Sequence, residues 1–243
     1  MARALIVGAT SAIAAETARL LAQRGDELLL AARDEARLQL MAQDLLVQGA
    51  RHVETIAFDA LAATDYVGLT GRCWGDGLDL LLLAHGTLPA QEAVQDDPAA
   101  TEQALQVNAN SAIGVLAAFA PLFEARGQGA IVVISSVAGD RGRKSNYVYG
   151  AAKAALSAYS QGLRNRLFSS GVSVITIKPG FVDTPMTADF PKGALWAQPR
   201  QIAAGILRAV ERGSDVVYLP GFWRLIMMII RAIPEKVFKR LSL

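Results

Sequence analysis

The chain has a single cysteine among its 243 residues, only two histidines, and almost no excess of either charge. Lone Cys73 has no partner for an internal disulfide and suits a reducing compartment. Two histidines and one cysteine are a poor ligand set for zinc. Lys plus Arg number 24 against 22 for Asp plus Glu, so there is no general electrostatic case for nucleic-acid binding. No run reaches the roughly 18 uninterrupted apolar residues of a spanning helix. The apolar run in "MARALIVGAT" is too short for a signal-peptide core. Fixed-period repeats, low-complexity tracts and dividing linkers are also lacking. The expectation is a soluble cytoplasmic protein, or one held peripherally at the inner face of a membrane.

What is present is apolar residue in quantity. Hydrophobic residues make up 52% and charged residues 19%, enough to bury the core of one large domain without disulfide or metal. Short apolar runs alternate with longer segments of helical period. "ALIVG", "ELLLAA", "HVETIAF", "LDLLLLA", "GAIVVIS", "VSVITIK" and "DVVYL" read as strands. Between them lie a helix closed by Gly25, another opened by Asp34 as N-cap and ended at Gly49, and helical stretches near 62–72, 100–125, 148–169 and 199–212. Runs such as "DLLLLA" and "IVVIS" do not alternate polar with apolar residues, so both faces of those strands should be buried. The expected fold is α/β, a Rossmann-type doubly wound parallel sheet flanked by helices, with ligands at the carboxyl ends of the strands. Residues 1–220 form this single nucleotide-binding domain with a lid about 181–198, and 221–243 extend it.

The first strand–helix turn, "VGATSAIA" (7–14), lies where such folds hold a dinucleotide. Gly8 suits the tight turn, and N–H groups at the helix start can face a pyrophosphate. The later glycine positions are Ala12 and Ala14, which keep backbone approach to phosphate open if φ is negative. Thr10 and Ser11 add hydroxyl donors for the adenosine phosphates. Nineteen residues beyond Ala14, the second strand ends at Arg33, where a cation would meet a ribose 2′-phosphate and an acid would accept from a 2′-hydroxyl. Asp34 is more simply an N-cap, so NADP(H) is favoured and NAD(H) stays open. Asp59 can accept from the adenine amino group or cap a helix.

Tyr149 and Lys153 in "NYVYGAAKAAL" (146–156) share one helix face, a turn apart. Tyr147 has no such partner, because Ala151 stands four residues on. A phenol with an unperturbed pKa of about 10 exchanges protons poorly near neutrality. A neighbouring ammonium should stabilise phenolate and lower that pKa. Ser136, at the end of "IVVISS", precedes Tyr149 by thirteen residues.

Taken with Gly8, Ala12, Ile13 and Ala14, with Asn108 in "LQVNANS" and with "KPGFVDTPM" (178–186), this pattern resembles the short-chain dehydrogenase/reductase family along essentially the whole chain. The resemblance implies a tetrad of Asn108, Ser136, Tyr149 and Lys153, a nicotinamide cofactor, and a dimer or tetramer. Tyr149 would be the general acid in reduction, and Ser136 would hydrogen-bond the substrate oxygen. Lys153 would also bind the nicotinamide ribose, and Asn108 would hold a water leading from Lys153 to solvent. The backbone after Pro179 and Gly180 would meet the carboxamide, with Ile13, Ala60, Ala84, Val182 and Thr184 as further cofactor contacts. The family's fourth strand usually ends Asn-Asn-Ala-Gly, whereas residues 83–86 here read "LAHG". His85 would then lie near the cofactor or serve the structure.

"TADFPKGALWAQ" (187–198) reads as a mobile substrate lid. From Phe222 to Ile233 nearly every position is apolar, followed by Pro234 and the cations Lys236, Lys239 and Arg240. As a helix this segment spans only about 18 Å, short of a roughly 30 Å hydrocarbon core, so it would lie in a membrane interface or pack on the protein. The tail, the "AHG" turn and "AGDRGRKSNYVYG" (138–150) resemble the decaprenylphosphoryl-2-keto-ribose reductase subgroup, implying a lipid-linked keto sugar. Arg141, Arg143 and Lys144 would meet an anionic substrate or form a solvated loop. A reductase of small ketones or 3-oxoacyl thioesters, and a nucleotide-binding scaffold without turnover, are the alternatives.

Overall fold

The computed structural model describes residues 2–62 and 65–241. Seven strands, β1 (Arg3–Val7), β2 (Glu27–Ala32), β3 (His52–Ala57), β4 (Leu80–Leu83), β5 (Ala130–Ile134), β6 (Ser173–Pro179) and β7 (Val216–Leu219), form one sheet in the order β3-β2-β1-β4-β5-β6-β7. Every adjacent pair is parallel. The order reverses between β1 and β4, so the strand ends there splay open into the crevice that ligands use in this architecture.

The unalternating apolar runs divide between two cores. Ile6, Leu30, Leu82 and Val132 face α1 (Ala12–Ala22), α2 (Glu35–Val47) and α8 (Pro199–Glu211). Leu5, Leu29, Leu81 and Val133 face α3 (Tyr66–Cys73), α6 (Ser111–Arg126) and α7 (Tyr147–Leu167). Burial of each such side chain contributes roughly 1.5–3 kcal/mol, which is why the strands carry leucine on both sides. The expected start of the α3 helix falls partly on residues 63 and 64, outside the described residues; Asp65 caps it by accepting from Gly68 N at 2.8 Å.

Two short helices, α4 (Gln91–Val94) and α5 (Pro98–Leu105), precede α6, and α5 runs into it through a π-helical turn at Gln106–Asn110. The continuous segment Pro98–Arg126 is long and apolar enough by composition to cross a membrane. Here it is a core helix, with Val115, Phe119 and Phe123 fully buried against the sheet. The chain ends in α9 (Trp223–Ala232) and α10 (Glu235–Phe238).

Candidate active site

A cavity of about 640 Å³ opens at the carboxyl ends of the strands. Gly8, Thr10, Ser11, Ala12 and Ile13 line one end, and Ser136, Tyr149 and Lys153 line the other. Gly8 has φ +82, and a Cβ there would lie 2.6 Å from the Cα of His85. Only glycine lets β1 and β4 close together at this point. Ser11 caps α1, accepting from Ala14 N at 3.4 Å, while the N–H groups of Ala12 and Ile13 precede any helical acceptor. No described residue other than glycine has positive φ, so Ala12 and Ala14 occupy this turn unstrained. Ala14 packs into the core against the sheet. The turn thus meets the condition its alanines set, and it fits a dinucleotide's pyrophosphate.

At the adenosine end stand two exposed cations, Arg33 and Arg37. The sequence reading missed Arg37, although it is one helical turn from Arg33. Asp34 is committed to capping α2, accepting from Arg37 N at 3.0 Å. Asp59 and Ala60 line the same end. Asp59 accepts from Leu61 N at 3.0 Å; the cap of α3 is Asp65, so Asp59 does not take the helix-cap role.

The middle of the floor is the "AHG" turn. His85 Nε2 pairs with Ser111 Oγ at 2.9 Å, and its ring meets Phe58 edge-on at 5.4 Å. Burial, helped by the charge of Lys153 and opposed by the Val7 carbonyl, pulls the imidazole pKa down to about 4. Since the folded value lies below the unfolded one of about 6.5, stability should fall as pH drops through that window. The expected loss is on the order of 2 kcal/mol between pH 7 and 4, read from urea midpoints and diminished in His85→Gln.

Gly86 is a second site of close approach that the sequence reading passed over. A Cβ on it would sit 2.7 Å from Asn108 Oδ1 and 3.5 Å from Lys153 Nζ. Asn108 lies behind the wall rather than on it. On the π-helical turn, its Oδ1 accepts from Thr87 N at 2.9 Å and its Nδ2 donates to Ala104 O at 2.9 Å. The widened turn and the amide compensate each other, since Nδ2 satisfies the carbonyl four residues back.

The chemical end is built by β5 and α7. Ser136 is extended (φ −165), accepts from Ala138 N at 3.1 Å, and lines the cavity with Tyr149, whose pKa its hydroxyl pulls down. Ser135 donates to Lys153 O at 3.0 Å, and a Cβ on Gly139 would lie 2.7 Å from the Lys153 carbonyl carbon. Both features clamp α7 onto the β5 loop, so Ser136 and Tyr149 hold a defined separation. Tyr147 is 44% exposed and off the cavity wall.

The expectation that Lys153 lowers the Tyr149 pKa is corrected, because Lys153 is not among the groups that shift it. Burial pushes the phenol up to about 12, with Ser136 opposing it. Lys153, 3% exposed, donates to Ile134 O at 3.1 Å and lies 5.7 Å from the tyrosine ring centroid. Burial pulls its own pKa down to about 8. Tyr149 is half-buried on the cavity wall and Lys153 is buried behind it, and desolvation, the larger influence on each, disfavours the charged form of both.

Ala84, Pro179, Gly180, Val182 and Thr184 also line the cavity. The expected lid is folded back on itself. Val182 pairs with Ala197, Thr187 Oγ1 donates to Val182 O at 2.7 Å, and Lys192 bridges Asp183 at 2.5 Å. Of the three basic loop residues, only Arg143 reaches the cavity. Arg141 turns away: its Nη1 donates to the carbonyls of Ile230 and Ile233 at 2.6 Å each, and its Nη2 pairs with Glu235 at 2.9 Å. Its guanidinium also covers the Phe238 ring at 3.6 Å. Arg141 therefore caps α9 and does not meet substrate.

This sheet and cavity define a nucleotide-dependent oxidoreductase of the Rossmann type. The chain belongs to the short-chain dehydrogenase family, whose model, described as short chain dehydrogenase, matches residues 2–194. It is 38% identical over 241 residues to an oxidoreductase in the mprA 5′ region of Streptomyces coelicolor, covering 98% of this chain and 94% of that one. A short-chain dehydrogenase from Sphingobium yanoikuyae, solved in complex with NADPH, superposes with a TM-score of 0.84 at 27% identity, covering 97% of each chain. A protein assigned provisionally as a betaketoacyl-ACP reductase gives 0.76, also at 27%, covering 89% of this chain and 95% of that one. The enzyme is thus a nicotinamide-dependent dehydrogenase/reductase.

Proposed function

We propose that the enzyme reduces a ketone to a secondary alcohol with NADPH, Tyr149 being the proton donor. The observation that carries this reading is the clamped group of Ser136, Tyr149 and Lys153 on the wall of the nucleotide cavity. The cofactor would lie from Arg33 and Thr10, across Gly8 and Ile13, to Pro179, Gly180 and Thr184, and it supplies the hydride that the carbonyl carbon accepts. Ser136 orients the carbonyl oxygen by donating a hydrogen bond. Tyr149 gives its proton to that oxygen as negative charge develops there. A phenol raised to about 12 stays protonated across the neutral range and so holds the proton that reduction consumes. Lys153 remains charged up to about pH 8, so an ammonium stands near the negative charge left on the Tyr149 oxygen once its proton is given up. Asn108 holds Thr87 and the π-helical turn beside Lys153 and acts through position.

Support for NADPH over NADH comes from Arg33 and Arg37 together, with Asp34 occupied as a cap. Replacing both arginines by alanine should raise the Kd for NADPH more than about tenfold and change that for NADH by less than about twofold, because hydrogen bonds to a charged phosphate are each worth about 1.5–3 kcal/mol. Fluorescence titration of both cofactors measures this, and equal losses would reject the preference.

For substrate, the reading is a keto group on an amphipathic molecule, with a lipid-linked keto sugar the leading example. Leu88, Val94, Phe181 and Met186 line the cavity with Arg143 as a cation among them, and burial lowers the guanidinium pKa. The resemblance of the betaketoacyl-ACP reductase neighbour favours a second reading, a 3-oxoacyl thioester. A screen of keto sugars, simple ketones and 3-oxoacyl thioesters, followed by nicotinamide absorbance, separates the two.

A further inference from the structure

A surface helix normally pairs one apolar face with one polar face. Helix α9 is apolar on both. Trp223 and Met227 are buried against Val137 beside the cavity, with Ile226 and Ile230 packed around them. Opposite them, Leu225, Met228 and Ile229 are 59%, 60% and 57% exposed. Phe222 at the head of the helix, and Val237 on α10, extend this apolar surface. The helix is not a loose tail, because Arg141 holds its last carbonyls and Trp223 packs edge-on to Phe181 at 5.4 Å.

The charge around this surface selects its partner. Residues 221–241 carry Arg224, Arg231, Lys236, Lys239 and Arg240 against one acid, Glu235, and Glu235 is already paired with Arg141. A second copy meeting the face through a two-fold axis would set these cations against their own duplicates. An anionic bilayer instead takes the apolar side chains into its headgroup boundary and neutralises the rim. We propose that α9 and α10 form a docking face for an anionic lipid surface. Docked this way, α9 would stand between the lipid and Val137 on the cavity wall. Membrane docking does not depend on the reductase reading, since vesicle binding is measured without turnover.

The test is co-sedimentation of the full chain with phosphatidylcholine vesicles, with and without phosphatidylglycerol, at low and high salt. The protein should sediment with the anionic vesicles only, and less so as salt screens the rim. Leu225→Ser, Met228→Ser and Ile229→Ser combined should weaken this binding by at least about tenfold. These side chains are exposed, so the variant should keep the wild-type circular dichroism and NADPH affinity. No sedimentation with anionic vesicles, equal sedimentation with neutral ones, or undiminished binding by the variant would each overturn the proposal. So would a wild-type dimer that the triple variant converts to monomer in light scattering, which would make the face a contact between copies.

Discussion

Tyr149→Phe should lower kcat for ketone reduction by about a thousandfold, within the 10² to 10⁴ range of a positioned general acid. The expectation follows from the arrangement around the ring. The phenol lies on the cavity wall with Ser136 and is kept protonated by its raised pKa. Phenylalanine keeps the ring and its packing on α7 while removing the hydroxyl placed to deliver the proton. NADPH affinity should therefore fall by no more than about tenfold, because loss of one neutral hydrogen bond is worth only about 0.5–1.5 kcal/mol. Steady-state rates on a confirmed ketone, paired with a fluorescence titration of NADPH, measure both. Turnover that survives the substitution would remove Tyr149 from the chemistry and leave the cavity as a binding site.

Gly8→Ala should destabilise the fold by about 3 kcal/mol, the sum of about 1–2 for a left-handed backbone and about 1–3 for overpacking. The added methyl would meet the backbone of His85 at 2.6 Å, and neither strand can retreat, since β1 and β4 are paired along Ala4 to Val7. The same displacement would push the phosphate turn away from the cavity, so NADPH affinity should fall together with the urea midpoint. Gly142→Ala is the matched control. A Cβ there meets nothing within 4 Å, and it should change the midpoint by less than about 0.5 kcal/mol. If Gly8→Ala proved equally mild, the close approach of the two strand ends could not be what demands glycine.

Much of this was readable before any coordinates. The parallel doubly wound sheet followed from strands such as "DLLLLA", which carry leucine where an exposed face would need polar residues. Tyr149 and Lys153 were placed on one face by helical period alone. Gly25, Gly49 and Asp34 marked helix ends by their own backbone or side-chain chemistry, and the structure puts both glycines at positive φ and Asp34 at its cap. Arg37 escaped notice because a cation on an amphipathic helix is ordinary until the cavity beside it is known. Gly86 and Gly139 escaped because nothing local in the chain calls for a glycine there. What demands it is Asn108 at one site and the α7 backbone at the other.

Linear sequence determined whatever depends on periodicity and on a residue's own conformational preference: strands, helices, caps, and the shared face of Tyr149 and Lys153. Only the tertiary structure decided which charges are screened, buried or spoken for. Arg141 and Arg143 stand two residues apart, yet one caps α9 and the other lines the cavity. The lysine a turn from Tyr149 does not bring its pKa down; desolvation raises the phenol and lowers the ammonium. Electrostatic roles are set by surroundings drawn from across the chain, and spacing along the chain cannot supply them.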